Sequence, residues 1–124
     1  LPRADTRALA SARRFRLLLT SPGIFPDGWR LPGMQADGRW HFHGASARLA
    51  SAALPRLETL SGWDVALHRP KPALRAVPTG SVYWLDDFQG DPAALDALAD
   101  EGLPLDDRSR RAEGFNNCLL AAWH

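Results

Sequence analysis

The side chains with the most chemistry to offer gather in residues 61–84, SGWDVALHRPKPALRAVPTGSVYW. Arg69, Lys71 and Arg75 bring three cations, Trp63 and His68 lie beside them, and Pro70, Pro72 and Pro78 are interleaved. A proline holds the residue before it in an extended backbone, so the stretch is expected to form a stiff arm. A stiff arm loses little chain entropy when it grips a partner. Cations beside aromatic faces suit single-stranded nucleic acid, whose bases stack while its phosphates meet the charge. Trp29 with Arg30, and Arg108, Arg110 and Arg111 further on, offer the same chemistry. The competing reading of these residues makes Trp63 a core plug and the arm a solvated hairpin.

Other chemistries find less support. His41 and His43 lie two apart and would share one face of a strand, but a metal site takes more ligands and no Cys or His pair stands at the usual spacing. No metal and no cofactor is expected. Covalent catalysis needs a nucleophile with a base and an orienting group. No nucleophile elbow, Walker loop or dinucleotide fingerprint occurs. Asp86-Asp87 and Asp106-Asp107 suit a hard cation or, more simply, a solvated acidic face. The chain is therefore not expected to be an enzyme.

A length of 124 residues suits one domain. The sequence opens Leu1-Pro2-Arg3 and its one Met is Met34, so it is read as a piece of a longer protein. Residues 1–12 are expected to be the end of a preceding element or a linker, and residues 13–124 the domain proper. No run of about 18 apolar residues occurs, so no transmembrane helix and no membrane partner are expected. Cys118 is the single cysteine, inside an apolar segment, and reads as a small buried hydrophobe in a reducing, cytoplasmic setting. The net charge of +1 hides a separation: residues 1–85 carry twelve bases against five acids, and residues 86–107 carry eight acids and no base. One part is expected to attract a polyanion and the other to face away from it, toward a basic protein neighbour.

The elements that must hold the arm follow from pattern. Residues 13–20 read as a buried strand stopped by Ser21-Pro22-Gly23. Residues 21–39, with three prolines and four glycines, forbid a long helix and are expected as an irregular loop anchored by Phe25, Trp29 and Leu31. Residues 40–43 alternate like a short strand, while the alanine-rich residues 46–54 suit a strand or a short helix. Residues 80–85 read as a strand. Asp91-Pro92 starts a helix over 92–101 that ends before Gly102, with Leu95, Leu98 and Ala99 as its core stripe. Residues 118–123 read as a last buried strand. The order predicts an α+β fold, a ferredoxin-like (RRM-like) split βαβ in which a long irregular insertion replaces or decorates the first helix.

The ordered stretches Ser61-Gly62-Trp63-Asp64, Arg69-Pro70-Lys71-Pro72 and Val77-Pro78-Thr79-Gly80-Ser81-Val82-Tyr83 closely resemble the C-terminal part of one CRISPR family. This is the family of Cmr subunits, in the RAMP superfamily, that cap the crRNA 5′ tag in type III-B effectors. Ser21-Pro22-Gly23 with Gly28-Trp29, and Glu113-Gly114-Phe115-Asn116 before an apolar strand closing at Trp123, extend the resemblance over residues 13–123. The resemblance implies the second of two ferredoxin-like domains in a non-catalytic subunit for antiviral defence. Such a subunit binds the repeat-derived 5′ tag and docks on the large polymerase-like subunit and the first backbone subunit. On that resemblance Arg69, Lys71, Arg75, Trp63 and the turn at Thr79-Gly80 become tag contacts. His68, Arg30, Arg110 and Arg111 complete the candidate RNA surface. RAMP proteins often end in a glycine-rich loop; here Gly114 is followed by Phe115-Asn116-Asn117, which weakens a phosphate-cradling role, although asparagine tolerates the left-handed turn. Two alternatives are a protein-docking module of the same complex without RNA contact, and a RAMP-type endoribonuclease processing precursor crRNA. The enzyme would use His41, His43 or His68 as general base toward a 2′-hydroxyl.

Overall fold

The computed structural model describes residues 4–25, 29–54, 58–60, 63–64, 69–70, 74–103 and 114–123, and between 58 and 76 it describes backbone alone. A mixed α+β architecture results, with a five-stranded antiparallel sheet and two helices. Strand β1 (Phe15–Leu19) runs near the middle, between β8 (Val82–Gln89) and β9 (Cys118–Ala121). On the far edge of β8 lies β3 (Ala45–Ala53), followed by β2 (Arg39–Phe42), giving the order β2-β3-β8-β1-β9. Register puts Leu17 opposite both Tyr83 and Leu120, Phe15 opposite Leu85 and Leu19 opposite Cys118. All seven side chains are buried on one face, as the two-residue period of a strand requires.

The two helices belong to the same core. Helix α2 (Pro92–Glu101) starts as its residues dictate: the Asp91 carboxylate accepts from the Ala93 N–H at 2.9 Å and Pro92 takes the first turn. Gly102 ends it with a φ of 72°. Leu95 and Leu98 are fully buried. Helix α1 (Thr6–Ala12) forms in the segment expected as the end of a preceding element or linker. Its Leu9 joins the buried cluster, and Thr6 Oγ1 donates to the Asp96 carboxylate of α2 at 2.9 Å.

The alanine-rich segment resolves as a strand. β2 and β3 are joined by His43 and Gly44, whose φ values of 46° and 79° suit a two-residue hairpin turn with both central residues left-handed. That turn overrides the weak helix preference of residues 46–54, because β8 and β2 flank the segment and supply its partners. It also takes His43 out of the strand, where it had been expected to share a face with His41. Trp40 and Phe42 of β2 are buried with ring centroids 4.4 Å apart, and Phe15 meets Phe42 and Phe88 edge-on.

Residues 20–38 contain no regular helix among those described. Phe25 and Leu31 are buried as expected. Trp29 is not: its side chain is 38% exposed, and its backbone carbonyl is the anchor, accepting the Tyr83 hydroxyl at 2.5 Å. Burial pushes the Tyr83 hydroxyl pKa well up, keeping it a neutral donor. The Trp40 indole N–H donates to the Pro32 carbonyl at 2.9 Å.

The acidic pair Asp86-Asp87 lies at the surface, as a solvated face requires, but it sits in a strand and is paired with arginines. Both residues lie in β8, where an extra residue sits between the Arg48–Asp86 and Ser46–Gln89 pairings. Asp87 takes a φ of 48°, and beyond this bulge the buried positions shift from Tyr83 and Leu85 to Phe88. Asp86 accepts two hydrogen bonds of 2.9 Å from the fork of Arg48, and Asp87 lies 2.9 Å from Arg39 and 3.4 Å from Arg13. Asp91 and Asp96 are engaged in and on α2, so the described part of the acidic segment is not one free surface. The Arg39 guanidinium, helped by Gln89 and Arg13, holds the Asp87 carboxyl below its ordinary pKa. Asp87→Asn keeps the left-handed backbone and removes the charge. The parent's added stability is therefore present at pH 7 and lost as pH falls through the folded pKa. Denaturation midpoints of parent and variant should differ at pH 7 and converge as pH falls below about 4, the ordinary Asp pKa, and through the lowered folded one.

Candidate nucleic-acid interface

The arm is a hairpin excursion between β3 and β8. Its backbone pairs in two antiparallel steps, β4 (Glu58–Leu60) with β7 (Leu74–Ala76), then β5 (Trp63–Asp64) with β6 (Arg69–Pro70). Register places Arg75 opposite Thr59, Arg69 opposite Asp64 and Trp63 opposite Pro70. Pro70 costs such a short ladder little, since a proline is tolerated at its rim where a donor is not required. Three of the nominated residues, Trp63, Arg69 and Arg75, thus share one hairpin. His68, Lys71, Arg110 and Arg111 lie outside the described residues.

The root of this hairpin is built from backbone. Val77 and Gly23 exchange two hydrogen bonds of 2.7 and 2.8 Å, and Val77 is buried. The Gly80 N–H then donates to the Leu19 carbonyl at 2.8 Å, and the Leu19 N–H to the Ser81 carbonyl at 3.0 Å. Between them Pro78-Thr79-Gly80-Ser81 closes a turn through a 3.2 Å bond from Ser81 to the Pro78 carbonyl, with Gly80 at a φ of 89°. Glycine suits the third place of that turn because a Cβ there is strained. Thr79 and Gly80, both nominated from sequence, are exposed at its tip. Ser81 is fully buried and its Oγ has no hydrogen-bond partner among the described residues.

A second device holds Gly23 from the other side. Asn116, buried and left-handed at a φ of 63°, lays its carboxamide along Ile24. Its oxygen accepts from the Ile24 N–H at 2.7 Å and its Nδ2 donates to the Ile24 carbonyl at 3.2 Å. The Asn116 N–H donates to the Pro22 carbonyl at 3.0 Å, and Asn117 reaches Ser21 Oγ and the Thr20 N–H at 3.0 Å each. The stretches Ser21-Pro22-Gly23, Val77–Ser81 and Gly114–Asn117 therefore meet in one knot. A Cβ on Gly23 would come within 2.6 Å of the buried Phe25 ring and 3.1 Å of the Leu19 side chain, so glycine leaves room there for the core packing of Phe25. Sequence reasoning did not find the staple role of Asn116; the signal was an asparagine two residues past a glycine, at the entry to a strand.

Of the remaining candidates, Arg30 lies with its guanidinium over the Trp29 ring, 5.6 Å from the centroid. His41 is exposed on β2, and His43 Nε2 is 3.6 Å from Glu101. Among the described residues no group of three or more His, Cys, Asp or Glu side chains is placed to hold a metal ion. Cys118 is buried, its thiol 3.6 Å from the Leu98 carbonyl. No described helix is long and apolar enough to cross a membrane.

The stretches drawn together at the knot are among those on which the family resemblance rests, and a family model described as CRISPR-associated protein (Cas_Cmr3) matches residues 1–123. The chain belongs to the Cmr3 family. Neither the curated proteins nor the solved structures yield a match. Membership makes this Cmr3-family chain a CRISPR-associated subunit of the multi-subunit Cmr complex. Asn116→Ala strips two backbone groups of Ile24 of their partners and should destabilise the intact chain by about 3 kcal/mol. Ser81→Ala, in the same knot, removes an unpartnered hydroxyl and should leave stability equal or higher by about 1 kcal/mol. Chemical denaturation of both variants checks the pair.

Proposed function

We propose that this Cmr3-family chain is a non-catalytic RNA-binding part of a type III-B effector, holding the repeat-derived 5′ tag of crRNA with the hairpin between β3 and β8. The observation that carries the reading is the hairpin itself. A two-step ladder bearing Arg69 and Arg75 projects from a root fixed to β1 by Gly23, Leu19 and Gly80. A root with fixed backbone lets the cations approach phosphate without ordering the chain first, which favours binding. Lys71 and Trp63 complete the grip, the first as a further cation and the second as a face on which a base can stack.

The same reading extends to the fold and to partners. The order β3-β8-β1-β9, with α2 linking β8 to β9, matches a ferredoxin-like split βαβ whose first helix has given way to residues 20–38 and β2. Helix α1, from before β1, lies beside α2 in the place that leaves open. Docking on the large polymerase-like subunit and the first backbone subunit, a cytoplasmic location and a part in antiviral defence belong to this proposal. So does the absence of catalysis.

Replacing Arg69, Lys71 and Arg75 together by Ala should weaken tag-RNA binding and lower the slope of log affinity against log salt by about 2, since each single-strand phosphate contact contributes about 0.7. Filter binding across a salt series reads both quantities. Unchanged affinity and slope would remove the hairpin from the RNA site.

A further inference from the structure

We infer that the groove between Trp29 and the unpaired edge of β3 is a nucleobase site, taking one unstacked base of the single-stranded RNA held by the hairpin. The inference rests on the RNA-binding reading above and adds a second point of contact to it.

The groove is lined by Trp29, Leu49, Ala50, Ser51, Ala52 and Leu54. None of these carries a charge, and Trp29 is the one exposed large hydrophobic among the described residues. Its exposure is held in place: the Tyr83 hydroxyl fixes the Trp29 carbonyl, so the indole stands on an anchored backbone. An apolar, uncharged slot with a fixed aromatic wall is the receptor a planar base requires, and stacking there is tolerant of base identity.

Charge chooses this cleft over another on the sheet. The second cleft is lined by Arg13, Arg14 and Arg48 together with Asp86 and Asp87. Arg13 and Arg48 already face those carboxylates, and an incoming phosphate would meet both acids. Arg30 is different. Its guanidinium rests on the Trp29 ring and approaches the Gln35 carbonyl at 3.4 Å, with no carboxylate partner among the described residues. It is a cation on the rim of the slot, available to the phosphate of the nucleotide whose base lies inside.

The floor supplies polar groups. β2 pairs with β3 only from Ala45 to Arg48, and the Leu49 N–H donates to the Gly38 carbonyl. From Ala50 to Ala53 the edge of β3 away from β8 has no backbone partner among the described residues. Small side chains at Ala50, Ser51 and Ala52 leave those peptide groups accessible to the polar edge of a base. Position links the slot to the hairpin: Leu54, its last wall residue, directly precedes the segment that leads into β4 at Glu58.

The test uses the assembled complex, loaded with guide RNAs that each carry one photoreactive thio-substituted base at a successive tag position. One position should crosslink to Trp29 or Leu54. Trp29→Leu should abolish that crosslink and weaken tag binding roughly tenfold, the lower end of a lost base stack, while crosslinks to the hairpin remain and Trp29→Phe restores most of the loss. Crosslinks to the hairpin with none to the groove would overturn the base site and leave the hairpin reading standing. Crosslinks to neither would overturn both. A photoreactive amino acid at position 51 that captures a neighbouring polypeptide instead of RNA would also overturn it, making the edge a strand-pairing surface for another subunit.

Discussion

Everything proposed for this chain depends on a backbone junction in which Gly23 lies between Val77 and Asn116. The pair of hydrogen bonds to Val77 ties the outgoing limb of the hairpin to the loop after β1. The Asn116 carboxamide fastens the next residue of that loop to the segment before β9. Three stretches distant in sequence meet through main chain, with a single buried side chain between them. The middle stretch of the junction carries glycine because a Cβ at position 23 would run into the buried Phe25 ring. A junction of this kind has few ways to relax, so the outgoing limb of the hairpin has a fixed root at Val77.

The bulge in β8 organises the opposite end of the sheet. It turns Phe88 into the core and presents Asp86 and Asp87 to Arg48, Arg39 and Arg13. Charges that appear separated along the chain are thereby paired across it, and the positive potential of the N-terminal two thirds is partly neutralised there. What stays unpaired by carboxylates among the described residues includes Arg30, whose guanidinium lies over the Trp29 ring.

Much of this framework was legible in the amino acids. Helix α2 was readable at both ends because Asp91, Pro92 and Gly102 satisfy end-group requirements that are local to the chain. Strands β1, β8 and β9 were readable from short apolar runs bounded by turn residues. Three features were not. The Asp87 bulge depends on a cross-strand register that no local pattern encodes, so the acidic pair looked like solvent-facing loop. The strand state of residues 46–54 is imposed by two neighbours against the bias of alanine. Trp29 reads both as a loop anchor and, with Arg30, as part of a nucleic-acid surface. No local pattern chooses between them, because the hydrogen bond that fixes its backbone comes from Tyr83, more than fifty positions away. At the site, the nominated Thr79, Gly80 and Arg30 fall within described structure, and Trp63, Arg69 and Arg75 fall on one paired backbone. The Asn116 staple escaped because its partners are the main chain of another segment.

The most direct measurement is amide hydrogen exchange of the intact subunit with and without a tag RNA. Slow exchange at Gly23 and Val77 in both states, with RNA-dependent protection across residues 58–76 and at Gly80, is the result this account predicts. Protection confined to other strands, with the hairpin amides exchanging at the same rate in both states, would contradict it.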